Sequence, residues 1–485
     1  MTEPDRRTTW TELAIATAIA IGYALVVRAG PLSLPYFWDE SDVYVPGAKW
    51  VAEHGLSVTP GVFPDDYSRG HPPLLYLWAA IFFALFGPSP TVGHLAALPF
   101  PIVTLVATYA LARPRFGRAV AIASSALLAS TPLFASIGAM LLPEMALAAL
   151  GALSLWAFSR DKLWLAVLFG VLAVWVKETG IFVAAGVGAG VLADAWLQGK
   201  LWSRGALGRA LLASLPLFTL GGFFVWQKAY AGYFVFPHHQ NLFADRPFEP
   251  SNLATVFPST LLWHGRWLLV GAALAGAILA RRELRAELAR GEPRSAAVLV
   301  ACLSPLLFNA IFFSKMFWLE RYALPAHPGL VVAACAVIAI ASRKWLESAR
   351  SRVLFVAAPV AAAVIMGLVS LRSATEPDAE EQTFAYADVI ATHRAAFGAL
   401  ERVEGPILTT WPMTIELRHP YLGYVESPRE TLHPEHVADD AHIGAILISA
   451  GSWRAEDLRR LARSRGMTRR STHRVGVAPA LEVWR

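Results

Sequence analysis

PPLLYLWAAIFFALFG, residues 72–87, is the stretch on which the reading of this 485-residue chain turns. It is apolar enough to be taken for a membrane span, and taking it so would move every later loop to the opposite face. Around it lie runs that approach the roughly 17 to 25 apolar residues a helix needs to cross a hydrocarbon core. They fall at 11–28, 92–112, 118–136, 143–159, 162–176, 180–197, 210–230, 262–280, 295–313, 322–341 and 353–371, about eleven spans in all. The pair 162–176 and 180–197 is short for two crossings and reads equally as a hairpin; either way the chain returns to its starting side.

The basic residues settle how 72–87 is read. If it stays on the outer side, the inner loops 113–118, 160–162, 198–209, 281–294 and 342–352 hold 17 Lys and Arg. The outer loops then hold six: Lys49, Arg69, Lys177, Arg246, Lys315 and Arg321. Lys and Arg gather in cytoplasmic loops. The expected arrangement is therefore a multi-pass protein of the cell membrane with its N-terminus inside, its C-terminus outside, and 72–87 as a helix lying in or dipping into the outer interface.

Composition supports this class. The chain is 55% hydrophobic and 16% charged, with mean hydropathy +0.46, whereas a soluble domain carries about 25% charged residues. Seventeen Trp and 26 Phe suit helix ends at a membrane interface. The net charge of +6 comes from short clusters between apolar runs, so it reads as topology signals and not as a nucleic-acid surface. Cys302 and Cys335 both lie in apolar runs, which argues against a disulfide framework or a Cys metal site. Arg6 and Arg7 precede the apolar run 13–27 as in a signal peptide, but no small-residue cleavage site follows, so this reads as a retained first span.

After Leu371 the chain changes character. Ser373–Gln382 is polar and acidic, and the rest reads as a soluble α/β domain of about 110 residues, a usual domain size. A helix is expected near 383–402, strands at Ile407–Thr410, Ala445–Ser449 and Val475–Val477, and a basic helix near 454–465. The expected fold is thus an all-α polytopic membrane module over 1–371, whose first outer loop is 29–91, followed by a small extracytoplasmic α/β domain over 372–485.

Ordinary connections run to about six residues, so the outer loop 29–71 is long enough to carry function. It contains PYFWDESDVY and ends in DDYSRGHPPLLYLW. Asp39 and Glu40 follow an aromatic cluster at the top of the first span, where desolvation is expected to lift a carboxyl pKa toward the working pH of a general base. The alternative is a solvated acidic loop or a helix cap. Glu144 in LLPEMA stands at the mouth of the fourth span, as a possible partner of the base or a side chain reaching water. Lys177 and Glu178 in VWVKETG are the only ionisable residues between two apolar runs, either functional or paired with each other. Arg321 opens LERYALPAHPG with Tyr322 beside it. Its planar fork suits phosphate oxygens, and the plainer readings are an Arg321–Glu320 pair or a headgroup anchor. His71, with Arg69 two residues before it, is a further phosphate or substrate ligand, or only a cap ahead of Pro72 and Pro73.

Weaker signals are His238 and His239, which could touch sugar hydroxyls or a metal but have no third ligand nearby. Gly186, Gly188 and Gly190 resemble a nucleotide loop superficially, and helix packing accounts for them better. Trp411 and Tyr421 could stack on a sugar or belong to a core. Together the outer span mouths offer carboxylates for an acceptor hydroxyl and cations for a leaving phosphate, the inventory for displacing phosphate at an anomeric carbon. Nucleotide sugars are cytosolic, so an outer site calls for a donor anchored in the bilayer.

The ordered set WDE, GHPPLLYLW, HLAALPFPIVTLVATYALARPRFGRA, LLPEMA, KETG and RYALPAHP resembles the membrane-embedded glycosyltransferase C superfamily over roughly residues 10–340. The nearest branches are the protein O-mannosyltransferase-like and the lipid A aminoarabinose transferase-like enzymes. The resemblance implies an inverting transferase that uses a polyprenyl phosphate sugar. Asp39 would match the first-loop acid, Glu144 the second acidic position, and 72–87 the juxtamembrane helix. Where the aminoarabinose branch has Glu-Lys before its paired prolines, this chain has Gly70 and His71, so no zinc site is carried over. No cofactor is expected; a divalent metal is allowed by the chemistry but has no ligand set behind it. The acceptor, whether protein, lipid or glycan, is left open. The rivals are a transporter or flippase, for which no internal repeat is present, and a non-catalytic relative that binds polyprenyl phosphate.

Overall fold

The computed structural model describes residues 9–55, 57–244, 250–290, 293–343, 345–370, 381–438 and 441–485. Each of the eleven apolar runs contains a helix, but fewer reach full crossing length. Five described helices are long and apolar enough to span a membrane: Trp10–Arg28, Pro90–Phe116, Glu178–Leu197, Arg294–Phe313 and Glu320–Ala341. The bent pairs Arg204–Ala213 with Leu215–Ala231 (41°) and Asn252–Leu261 with Arg266–Leu279 (88°) raise this to seven if each pair is one span. The shortfall has local causes. The 118–136 run breaks after Ala129, where Thr131 is extended ahead of Pro132, because proline disfavours the helical region for its predecessor. The 262–280 run becomes helical only at Arg266, after His264 and Gly265 turn left-handed at φ 52° and 79°.

The helix Pro143–Ser159 is the hub of the bundle. It is apolar on every side and fourteen of its 17 residues are buried, as expected of a helix enclosed by others. Ile181–Leu197 lies against Pro293–Phe313 closely enough that a Cβ on Gly186 would meet Pro305 Cγ at 2.7 Å and one on Gly190 would meet Phe158 at 2.8 Å. These two glycines serve helix packing. Gly188 faces open space.

Within 72–87 the helix is Leu74–Phe86, 13 residues long, bounded by the paired prolines and by Gly87 at φ 83°. Tyr76 and Phe83 are buried, and a Cβ on Gly47 of the helix Val45–Glu53 would meet the Tyr76 ring at 2.7 Å. Ile81, Leu85 and Phe86 on the other side are 51%, 68% and 70% exposed. An apolar helix too short to cross, packed on one side and open on the other, suits an interfacial position.

The expected boundary at 371/372 and most of the acidic stretch 373–382 lie outside the described residues. Beyond them a five-stranded sheet forms from β1 Ile407–Leu408, β2 Thr431–Leu432, β3 Ala445–Ser449, β4 Arg469–His473 and β5 Leu481–Trp484, in the order β2-β1-β3-β5-β4. β1 is parallel to both β2 and β3, and β5 is antiparallel to β3 and β4. The helix Tyr386–Gly398 packs on the Leu447, Leu481 and Val483 face, and Ala455–Ser464 on the Ile446, Ile448 and Trp484 face. Val475–Val477 is not a strand. It is the turn between β4 and β5, and the Val475 and Val477 N–H groups donate to Thr392 Oγ1 and Asp388 Oδ2. The largest buried cluster runs without interruption from Tyr36 and Phe37 of the first loop, through Leu75 and Leu141, to Tyr386 and Phe397.

Candidate active site

The first outer loop turns sharply at Trp38, whose φ of 49° is uncommon for a bulky residue. The Trp38 carbonyl accepts from Ser41 Oγ at 2.7 Å and from the Ser41 and Asp42 N–H groups at 2.9 and 3.1 Å. A wide π-helical turn, Glu40–Tyr44, follows, the kind of local bulge often found at functional sites. The turn sends two neighbouring carboxylates in different directions. Asp39 receives a hydrogen bond from Arg321 and keeps 29% of its side chain exposed. Glu40 is buried, with Oε1 accepting from the Leu141 N–H at 2.6 Å and Oε2 from the Phe37 N–H at 3.1 Å. Glu40 therefore does not face the cluster as a base would; Oε1 ties the first loop to the segment before Glu144, and Oε2 braces the loop's own turn at Phe37.

Arg321 lies in the 3-10 turn Glu320–Ala326 that leads into His327–Ala341. Its guanidinium donates to Asp39 and to Glu381, and its Nε is 3.7 Å from Glu144 Oε1. Lys177 is an extended residue between Leu163–Val176 and the short turn Glu178–Gly180. Its Nζ lies 2.9 Å from Glu144 Oε1 and 4.9 Å from the Tyr322 ring centroid. Glu144 thus joins both cations. Neither sequence-local pairing occurs, since Glu178 receives His71 Nδ1 at 2.9 Å while Glu320 holds Arg266 and His264.

Burial acts to raise the Asp39 pKa, but Arg321 and then Lys177 outweigh it and hold the carboxyl below its ordinary value. This reverses the expectation of a carboxyl lifted toward neutrality. The raised carboxyl is Glu381, pushed up to about 7 by burial and by Asp39 and Glu144 against the pull of Arg321. Sequence reading missed Glu381 because it ends an acidic stretch that looks like a linker. The Ser136 hydroxyl donates to its backbone carbonyl at 2.8 Å, which anchors it over the bundle. Three buried polar atoms at this centre have no hydrogen-bond partner: Glu144 Oε2, Glu381 Oε1 and Arg321 Nε. Such atoms are costly unless a ligand or water reaches them.

The rim is more open. Asp42 pairs with Arg69, which is itself left-handed at φ 46°. His71 stacks on Tyr44 at 6.4 Å and lies 5.4 Å from His239. Burial and the neighbouring His71 hold the His239 pKa down at about 4. His238 is exposed and is not brought into the cluster. Among the described residues the group able to hold a metal is His433, Glu435 and His436, in the C-terminal domain. Its Glu435 is engaged by Arg454.

Residues 70–221 match the family described as dolichyl-phosphate-mannose-protein mannosyltransferase. The structure as a whole resembles ArnT from Cupriavidus metallidurans in the apo state, with TM-score 0.58 and 14% identity over 97% of each chain. ArnT from the same organism bound to undecaprenyl phosphate aligns over 98% of each chain with TM-score 0.54 and 15% identity. The chain thus shares the fold of the ArnT structures, and its segment 70–221 is similar to the mannosyltransferase family. At these identities the likeness to the solved structures is one of fold, and no curated protein matches the sequence. The matched segment contains His71, Glu144, Lys177 and Glu178, while Asp39, Arg321 and Glu381 lie outside it.

Proposed function

We propose that this chain is an inverting membrane glycosyltransferase that moves a sugar from a polyprenyl phosphate carrier to a hydroxyl on the non-cytoplasmic face. The observation that carries this is the Glu144 bridge: one buried carboxylate gathers Lys177 and Arg321, and Arg321 in turn reaches the accessible carboxylate Asp39. An acid and two cations thereby share one site. The ArnT structure with bound undecaprenyl phosphate supports the choice of donor class, and the 17-to-6 split of basic residues supports the choice of face.

In this reading Asp39 accepts the proton of the acceptor hydroxyl as its oxygen bonds to the anomeric carbon. The bond from that carbon to the phosphate oxygen breaks, and its electron pair leaves with the phosphate. Lys177 and Arg321 stabilise the charge that grows there, an electrostatic contribution that is often the largest in catalysis. A single displacement inverts the anomeric centre. Asp39 and Glu381 hydrogen-bond Arg321 and Glu144 lies beside its Nε, so a donor phosphate that reaches it competes with these carboxylates. Glu381, with its raised pKa, is the one more readily neutralised. Two fixed cations supply the charge.

The test is to incubate the purified protein in nanodiscs with a panel of polyprenyl phosphate sugars and a membrane acceptor fraction, and to measure freed polyprenyl phosphate by mass spectrometry. Release with at least one sugar supports the reading. No release from any sugar, together with no binding of polyprenyl phosphate, rejects it.

A further inference from the structure

The rim of the site carries an aromatic pair that the transfer step does not use. Trp38, next to Asp39, meets Trp411 of the C-terminal domain edge to face, with centroids 5.4 Å apart and planes at 72°. Trp411 keeps 39% of its surface exposed, so it is not a core residue. Beside the pair the Asp42 carboxylate binds Arg69. The turn after Trp411 packs on the π-turn that follows Asp39.

The fold explains why Trp411 stands there. β1 sits between β2 and β3 and is parallel to both, so the chain leaves it first to one side and later crosses to the other. In open α/β sheets the crevice at the carboxyl ends of strands at such a reversal is the usual ligand position. Trp411 follows the carboxyl end of β1. Two left-handed non-glycine residues, Trp38 and Arg69, present side chains to the same rim, and strain of this kind gathers at ligand clamps.

Resting on the transferase reading above, we infer that Trp38, Trp411, Asp42 and Arg69 form the acceptor subsite, and that the acceptor is a glycan whose pyranose ring lies against the indoles. A pyranose has an apolar C–H face suited to an indole and a rim of hydroxyls suited to a carboxylate and a guanidinium. This rim offers both kinds of surface, with Asp39 adjacent to take a proton. A peptide recognised by strand addition needs an open sheet edge, and β1, the strand leading to Trp411, is paired on both sides. The donor sugar shares the pyranose chemistry but is tied through its phosphate to Lys177 and Arg321, whose side chains are only 9% and 2% exposed. The indoles stand at the outer, accessible side. The C-terminal domain thereby supplies one of the two indoles of the acceptor site.

The experiment uses the full-length protein in nanodiscs, without donor, on an array of immobilised oligosaccharides of gluco and manno configuration and on a parallel array of Ser/Thr peptides. The wild type should be captured by a subset of glycans. Trp411→Ala should lose at least tenfold in that capture, and Trp411→Phe, which keeps an aromatic face, should retain most of it. Size-exclusion elution and a cooperative melt establish that each variant is folded. Capture by no glycan, capture by peptides instead, or unchanged glycan capture by folded Trp411→Ala would overturn the assignment. Binding of polyprenyl phosphate by the wild type, read as a thermal shift, reports separately on the transferase reading. If that shift is absent while glycans are captured, the donor proposal fails and the glycan subsite stands.

Discussion

Glu144, in the first turn of the helix Pro143–Ser159, and Lys177, in the extended break after Leu163–Val176, meet at 2.9 Å in a site where both are almost fully buried. A buried pair of this kind is weak evidence for stability, because desolvation offsets most of the attraction. Its consequence is positional: Glu144 also faces Arg321 Nε at 3.7 Å, so the two cations are held toward one point.

Lys177→Ala and Arg321→Ala should therefore each impair use of a phosphate-bearing donor. Loss of a charge-assisted contact to the leaving group is expected to cost roughly 2–4 kcal/mol in the transition state, read as a fall in kcat/KM for whichever donor proves active. Unchanged turnover in both folded variants would make these residues anchors only.

Glu40→Gln should behave differently. The residue satisfies the Leu141 and Phe37 N–H groups, and the amide keeps one acceptor oxygen but leaves one buried N–H unmatched, at a cost on the order of 1–3 kcal/mol. A lowered melting temperature in detergent, with kcat near that of the wild type, is the expected result. A normal melt with abolished turnover would return Glu40 to the chemistry.

The pH dependence follows from Glu381. Its carboxyl titrates at about 7 in the folded protein against an ordinary 4.5, so the folded state binds the proton more tightly than the unfolded one. Unfolding then releases protons between these values, and this contribution to stability falls as pH rises through that window. Glu381→Gln removes it. The melting temperature of the variant should decline less than that of the wild type between about pH 5 and 8, the window set by this shift. Parallel slopes would contradict the assignment.

The helical part of this fold was legible because apolar runs mark helices directly, and Glu144, Lys177 and Arg321 stood out as charges against apolar surroundings. Asp39 and Glu40 could not be told apart, since the π-turn that aims one at Arg321 and the other at Leu141 leaves no mark in a DES triplet. Glu381 was hidden among Glu376, Asp378 and Glu380, and only tertiary packing distinguishes it. In the C-terminal domain β4 was missed because its sequence, RRSTH, is polar throughout, as an edge strand can be. Apolar Val475 and Val477 drew the strand expectation to what is a turn.

Topology can be read with reporters. Fusions after Arg115, Arg285 and Lys344 should report cytoplasmic positions, and those after Pro64, Pro247 and Arg485 outer ones, from the basic asymmetry of the loops. A cytoplasmic C-terminus would move the site to the wrong face for a bilayer-anchored donor.

The most direct test of the account is single-turnover transfer by Asp39→Asn, measured beside donor binding. Asparagine keeps size and hydrogen bonding but cannot take the acceptor proton, so the chemical step should slow by about a hundred- to ten-thousandfold. Donor binding should be retained or tightened, because Arg321 loses a competing carboxylate. A wild-type rate in Asp39→Asn, with Glu40→Gln inactive, would assign the base to the wrong neighbour, and full activity in both double variants with Glu144→Gln would contradict the carboxylate mechanism itself.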